Sequence, residues 1–193
     1  MRIIFIRHGR TNANVNHLLD TNYPGTPLDE VGLDQAAGLP GRLVSEPIEV
    51  VMTSDITRAR QTGEPLAKAK GVPLIIHPGV REIYAGDWDM AQDWRDYIAV
   101  LEGWALDPSL STPNGEDGFG FMARFDAAIA ELGEYRCAAV VSHGGALGTW
   151  FGAHCPSQID LNLLWRLGNT EIVVVEGTPG QWRIRSWADR LLS

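Results

Sequence analysis

Two histidines in this 193-residue sequence follow short apolar runs and precede glycine. His8 ends Ile3-Ile4-Phe5-Ile6-Arg7-His8-Gly9, and His143 ends Val140-Val141-Ser142-His143-Gly144-Gly145. An arginine, Arg7, stands directly before the first histidine, and a second, Arg58, lies just beyond a third apolar run, Val50-Val51-Met52. Guanidinium groups match the oxygens of a phosphate dianion with a planar fork of donors. A neutral imidazole is a competent nucleophile toward phosphorus, and two nearby guanidinium groups disfavour its protonated form. A second imidazole can donate hydrogen bonds to the phosphoryl oxygens as charge redistributes. An alkoxide leaving group needs a proton, so a carboxylic acid or another imidazole belongs close by. Taken singly, each residue has a structural reading: a histidine after a strand, a solvated helix arginine, a tight Gly-Gly turn into a helix.

The elements around these residues decide whether they can meet. Arg2–Arg7 reads as a buried strand, rich in β-branched and aromatic residues and ending at Gly9. Residues 11–27, polar and Pro-containing, read as a surface loop near a site. Asp29 caps a helix running to about Val44, with Pro40 bending or interrupting it. A strand follows at Val50–Met52, then a helix capped by Asp55 and ending near Gly71, then a strand over Val72–Ile76. A helix is expected around Gln92–Leu101, and a Pro-containing loop from Asp107 to Pro113. Phe119, Met122, Phe125, Ile129 and Leu132 recur at helical spacing along one face. Cys137–Val141 is the next strand, with a short helix after the glycines. Ile172–Val175 and Trp182–Trp187 close the chain as two strands joined through Gly177, Pro179 and Gly180.

Strands alternating with helices predict an α/β fold, a three-layer αβα sandwich with a mainly parallel central sheet and an antiparallel pair at one side. The whole chain, 1–193, reads as one domain. Ligands of open α/β sheets bind beyond the carboxyl ends of the strands. Three such ends bring Arg7, His8, Arg58 and His143 to one rim.

With those residues in place, the sequence resembles the histidine phosphatase superfamily, which includes the cofactor-dependent phosphoglycerate mutases. Arg7-His8-Gly9-Arg10-Thr11-x-x-Asn14 is similar to the family's nucleophile motif, and Ser54-Asp55-Ile56-Thr57-Arg58 to its second signature. Arg81-Glu82-Ile83-Tyr84-Ala85-Gly86-Asp87-Trp88 resembles the segment that bears its general acid, and Ser142-His143-Gly144-Gly145 its second-histidine motif. Pro27-Leu28, Gly32 and Pro113-x-Gly115-Glu116 follow the same order. The resemblance implies a phosphoglycerate mutase-like fold, His8 as nucleophile and Glu82 as proton donor. It further implies that Arg7, Arg58 and His143 bind the phosphoryl group, assisted by Asn14, with no metal and no cofactor. Arg10 and Thr11 are the candidate substrate-binding residues. Arg10 departs from the family, which usually has an uncharged or acidic residue there; turned inward it would meet a second anionic group on the substrate, and turned outward it would face solvent or an acid such as Asp20.

Bulk properties bound the partners. A net charge of −8 argues against nucleic acid or an anionic membrane as main partner. Only Lys68 and Lys70 are lysines, so an anion site must be built from arginine. Cys137 and Cys155 lack a Cys-x-x-Cys pattern and read as reduced thiols of a cytoplasmic protein. The amino-terminal apolar run is too short for a signal-peptide core. Seven Trp leave room for a homodimer interface.

The expected activity is metal-independent hydrolysis of small-molecule phosphate monoesters through phosphohistidine at His8. The alternatives are a phosphoglycerate-type mutase and a non-catalytic module that binds a phosphorylated ligand. A mutase must shelter its phosphoenzyme and grip a sugar acid, and between Trp88 and Gly115 the only base is Arg95.

Overall fold

A computed structural model describes residues 1–156, 167–188 and 190–191. Among them lie strands β1 (Arg2–Arg7), β2 (Val50–Thr53), β3 (Leu74–Ile76), β4 (Cys137–Ser142), β5 (Ile172–Thr178), β6 (Gln181–Trp187) and β7 (Arg190–Leu191). The helices are α1 (Asn12–Val15), α2 (Glu30–Arg42), α3 (Thr57–Lys70), α4 (Arg95–Gly103), α5 (Gly118–Glu131) and α6 (Gly144–His154). The strands form one seven-stranded sheet in the order β3-β2-β4-β1-β5-β6-β7. β1 to β4 run parallel to one another, and β5, β6 and β7 each run antiparallel to the strand before them in the sheet. The anticipated antiparallel pair is therefore present, and it joins the parallel part by antiparallel pairing of β5 to β1.

Alternation along the strands divides the core between the two faces of the sheet, as a period of two requires. Ile3, Phe5, Met52 and Val140 pack under α5 and α6 with Phe121, Phe125, Trp150 and Phe151. Ile4, Ile6, Val51 and Val141 pack on the other face under α2 and α3, with Leu39, Ala59 and Leu66. The expected αβα sandwich is the observed architecture.

Four local expectations are corrected. Residues 11–27 are not loop throughout. Thr11 Oγ1 accepts from Asn14 N while Asn14 Oδ1 accepts from Thr11 N, a reciprocal cap that winds the short α1. Asp55 does not cap α3; it pairs with Arg81, Nε to Oδ1 2.6 Å, and Ile56 occupies the cap with no side-chain bond. β3 starts at Leu74 rather than Val72. The fourth helix spans Arg95–Gly103 rather than 92–101, with Asp93 accepting from Arg95 N just ahead of it. Asp29 caps α2 as expected, accepting from Gly32 N at 2.8 Å, and Pro40 sits inside that helix without ending it.

Gly32 shows why the first helix matters to the site. A Cβ there would fall 2.1 Å from the carbonyl oxygen of Arg10. The close approach that only glycine allows lets α2 press on the loop after β1 and hold it against the sheet.

Candidate active site

Strand ends β1, β2 and β4 converge as the topology rule requires. His8 leaves β1 with its N–H bonded to Ser142 O at 3.0 Å, so the loops after β1 and β4 are tied together at the histidine. Gly9 N donates to Thr62 Oγ1 at 2.9 Å, and Thr62 Oγ1 donates to Arg58 O at 2.7 Å, fixing the same loop to α3. The rings of His8 and His143 lie 5.2 Å apart, centroid to centroid, and both residues are buried.

The hydrogen bonds of His8 decide its tautomer. Nδ1 lies 2.7 Å from the carbonyl oxygen of Gly9, so it carries the proton. Nε2 accepts from Arg58 Nε at 3.1 Å. The imidazole is thus neutral with its lone pair on Nε2. Burial, then the charges of Arg58 and Arg7, push its pKa well below the ordinary 6.5. His143 is pushed the same way, first by burial and then by Arg58. Both its ring nitrogens are buried without a partner among the described residues, as is Arg7 Nε. Such atoms are costly unless something pairs with them, and an anion between the histidines would do so.

Arg58 is buried and Arg7 half-buried, and desolvation is the main cause lowering their pKa values. Arg58 is held on its far side by Asp20, Nη1 to Oδ2 3.1 Å and Nη2 to the Asp20 carbonyl 2.7 Å. Arg7 donates through Nη1 to Leu167 O. Asn14 Oδ1 is occupied by Thr11 N and by Asn169 Nδ2, which leaves its own Nδ2 to donate into the cavity. Glu82 sits at the start of α6: Oε2 accepts from Gly145 N at 3.0 Å, and Oε1 from Ala146 N at 2.6 Å. Arg7, His8, Asn14, Arg58 and Glu82 line a single cavity of about 190 Å³.

Two of the expected residues do other work. Arg10 pairs with Asp29, the cap of α2, Nε to Oδ2 2.8 Å, and does not line the cavity. Of the two orientations open to it from sequence it takes the outward one, with Asp29 rather than Asp20 as its acid. Thr11 lines the cavity but its hydroxyl is the cap acceptor of α1.

Several residues were not anticipated from sequence. Asp20 restrains Arg58. Asn169 donates to His8 O at 3.0 Å and to Asn14 Oδ1 at 3.1 Å. Arg124, on α5, donates to the carbonyls of Gly79, Arg81 and Glu82 and forms a forked pair with Glu116, Nε–Oε1 2.6 Å and Nη2–Oε2 2.7 Å. It thereby fastens the segment that carries Glu82. The only sequence signal was the pairing of Glu116 in its motif with an arginine two helical turns on.

No group of three or more His, Cys, Asp or Glu side chains suited to a metal occurs among the described residues. No helix among them is long and apolar enough to cross a membrane. Cys137 and Cys155 are buried free thiols, each pushed up to about 11 by burial.

The chain is similar to known proteins along nearly its whole length. The profile of the histidine phosphatase superfamily (branch 1) matches residues 3–190. An adenosylcobalamin/alpha-ribazole phosphatase of Salmonella typhimurium is 34% identical over 158 residues, 76% of each chain. The crystal structure of the alpha-ribazole phosphatase from Shigella flexneri superposes with a TM-score of 0.77 at 27% identity, covering 100% of this chain and 98% of that one. A mycobacterial glucosyl-3-phosphoglycerate phosphatase complexed with VO3 gives 0.79 at 26% identity, covering 97% and 98%.

Proposed function

Since the chain belongs to the histidine phosphatase superfamily, we propose that it hydrolyses small-molecule phosphate monoesters through a phosphohistidine on Nε2 of His8. The observation that carries this reading is the polarity of the His8 ring: Nδ1–H on Gly9 O, and a lone pair at Nε2 facing the buried Arg58 guanidinium. Nε2 attacks phosphorus and the bond from phosphorus to the leaving oxygen breaks. The imidazolium formed keeps Nδ1–H on the Gly9 carbonyl, which stabilises its positive charge. Arg7, Arg58, Asn14 Nδ2 and a ring nitrogen of His143 hold the three equatorial oxygens, the positioning and charge compensation on which phosphoryl transfer depends.

Glu82 gives its proton to the leaving oxygen. Its carboxylate then takes a proton from the water that attacks phosphohistidine, releasing phosphate and restoring neutral His8. Guanidinium groups and imidazoles meet the phosphoryl charge in this scheme, so it needs no metal or cofactor.

The mutase reading is less well supported. Arg95, the single base between Trp88 and Gly115, is strongly exposed and paired with Asp93, Nε to Oδ1 3.0 Å. The names borne by the relatives divide: phosphatases of alpha-ribazole and of glucosyl-3-phosphoglycerate support hydrolysis, a probable phosphoglycerate mutase at 28% identity supports the alternative, and none chooses a substrate. Acid-quenched enzyme should carry phosphate on His8 during turnover. Phosphate on a Ser, Asp or Cys would overturn the mechanism.

A further inference from the structure

The cavity lining is of two kinds. Arg7, His8, Asn14 and Arg58 are its phosphoryl-binding candidates, and Asp20, Glu82, Thr11 and Thr21 are its other polar members. The rest is largely apolar: Leu18, Leu19, Trp94, Tyr97 and Ile98. The polar atoms of the two aromatic residues are already spent, Trp94 Nε1 on His17 O at 3.0 Å and Tyr97 OH on Ile83 O at 2.9 Å. They present ring surface to a ligand rather than a donor. Leu19 is held in the wall by two backbone bonds, its N–H to Ala91 O at 2.9 Å and its carbonyl from Met90 N at 2.7 Å.

Charge points the same way. Among the described residues the cavity is lined by two guanidinium groups, Arg7 and Arg58, and two carboxylates, Asp20 and Glu82, which sum to zero. A phosphoryl dianion takes up both arginines, and among the described residues no lining cation remains for a second anionic group. The arginines adjacent in sequence to site residues are engaged elsewhere: Arg10 with Asp29, Arg81 with Asp55, Arg95 with Asp93.

We infer that the site selects phosphate monoesters whose leaving group is uncharged and apolar, of aryl or benzyl type, and disfavours those carrying a second anion. The inference rests on the phosphatase reading and narrows it. It reverses the expectation that Arg10 favours a doubly anionic substrate. An aromatic leaving group would stack against Trp94 and Ile98, burying surface on both sides, whereas a carboxylate there would meet an apolar wall beside Asp20 and Glu82.

Benzyl phosphate and 4-carboxybenzyl phosphate test it, since a para carboxylate changes the basicity of the leaving alcohol little. Their kcat/KM values should differ by about tenfold or more in favour of benzyl phosphate, because a carboxylate placed among apolar side chains and beside like charges is penalised. Ile98→Lys should shrink that ratio by supplying a cation to the wall. If this variant fails to fold, the parent pair decides alone. Benzylphosphonate and 4-carboxybenzylphosphonate, which cannot be hydrolysed, should show the same order of binding by calorimetry. Turnover of both esters with equal or reversed preference overturns this inference and leaves the phosphatase reading standing. Tighter binding of benzylphosphonate without turnover of either ester does the opposite. Failure of benzylphosphonate to bind overturns the inference as well.

Discussion

Arg58 Nε lies 3.1 Å from His8 Nε2 and approaches it in the role of donor, while the opposite ring nitrogen is bonded to Gly9 O. One arginine thus faces the Nε2 lone pair of His8 and disfavours its protonation, and the same guanidinium is held from behind by Asp20. Arg58→Ala should lower kcat/KM by about a hundredfold or more, in line with the loss of a preorganised donor. It should also move the acidic limb of the kcat/KM–pH profile upward, because the charge that, after burial, does most to depress the His8 pKa is gone. An unmoved limb would mean that Arg58 binds phosphate without tuning the nucleophile.

Glu82→Gln should slow substrates with poor leaving groups by about a hundredfold to ten-thousandfold, the usual contribution of general acid catalysis. Activated aryl phosphates need little protonation and should lose far less. Asp87, a neighbouring acid, does not line the cavity and accepts from Asn114 Nδ2 at 3.0 Å, so it should not substitute. Equal losses across leaving groups would make Glu82 a structural cap of α6.

Arg124→Met should reproduce the leaving-group dependence of Glu82→Gln in weakened form, because the carbonyls it fastens carry Glu82. Glu116 loses its forked partner at the same time, so unfolding free energy should fall by about 1.5–3 kcal/mol. A stability loss with a parental leaving-group profile would limit Arg124 to holding α5 against the 79–82 segment.

Arg10→Gln should leave the Michaelis constants of singly and doubly anionic substrates within about twofold of the parent, since its pair with Asp29 is a partly exposed one away from the cavity. A selective rise for doubly anionic substrates would show that Arg10 leaves Asp29 when substrate binds, and would count against the apolar leaving group inferred above.

Stability should fall with acid in a window set by the two histidines. Both are depressed well below 6.5 in the folded protein, so below about pH 6.5 the unfolded chain binds protons that the folded one does not. Folding stability is complete above that pH and declines below it, by up to about 1.4 kcal/mol per pH unit for each ring. Denaturant titrations between pH 5 and 8 should show the slope, and it should flatten in His143→Ala. An unchanged slope would mean that His143 is not held neutral.

Much of this was legible in one dimension because it depends on local pattern. The apolar runs at 3–6, 50–52 and 138–141 mark buried strands, and each is followed by a chemistry-bearing residue within a few positions, which is where an α/β sheet exposes its site. Asp29 could be read as a cap because its partner, Gly32, is three residues away. His8, Arg7, Arg58 and His143 could be picked out by residue type and place, while the roles expected of them came from the resemblance of their motifs to a known family.

What sequence left open was the choice among competing partners far apart in the chain. Arg58 and His8 are 50 positions apart, Asn169 and His8 are 161, and Arg124 and the Glu82 carbonyl are 42. Arg10 had acids and solvent within reach, and Asp29 won because Gly32 draws α2 onto the Arg10 backbone. Asp55 was placed to cap a helix and took Arg81 instead. A charged side chain bonds the nearest suitable group in space. The sequence therefore determined which groups this protein brings to its site, and the fold alone decided which faces which: the proton on Nδ1 of His8, the carboxylate behind Arg58, and the apolar wall opposite them.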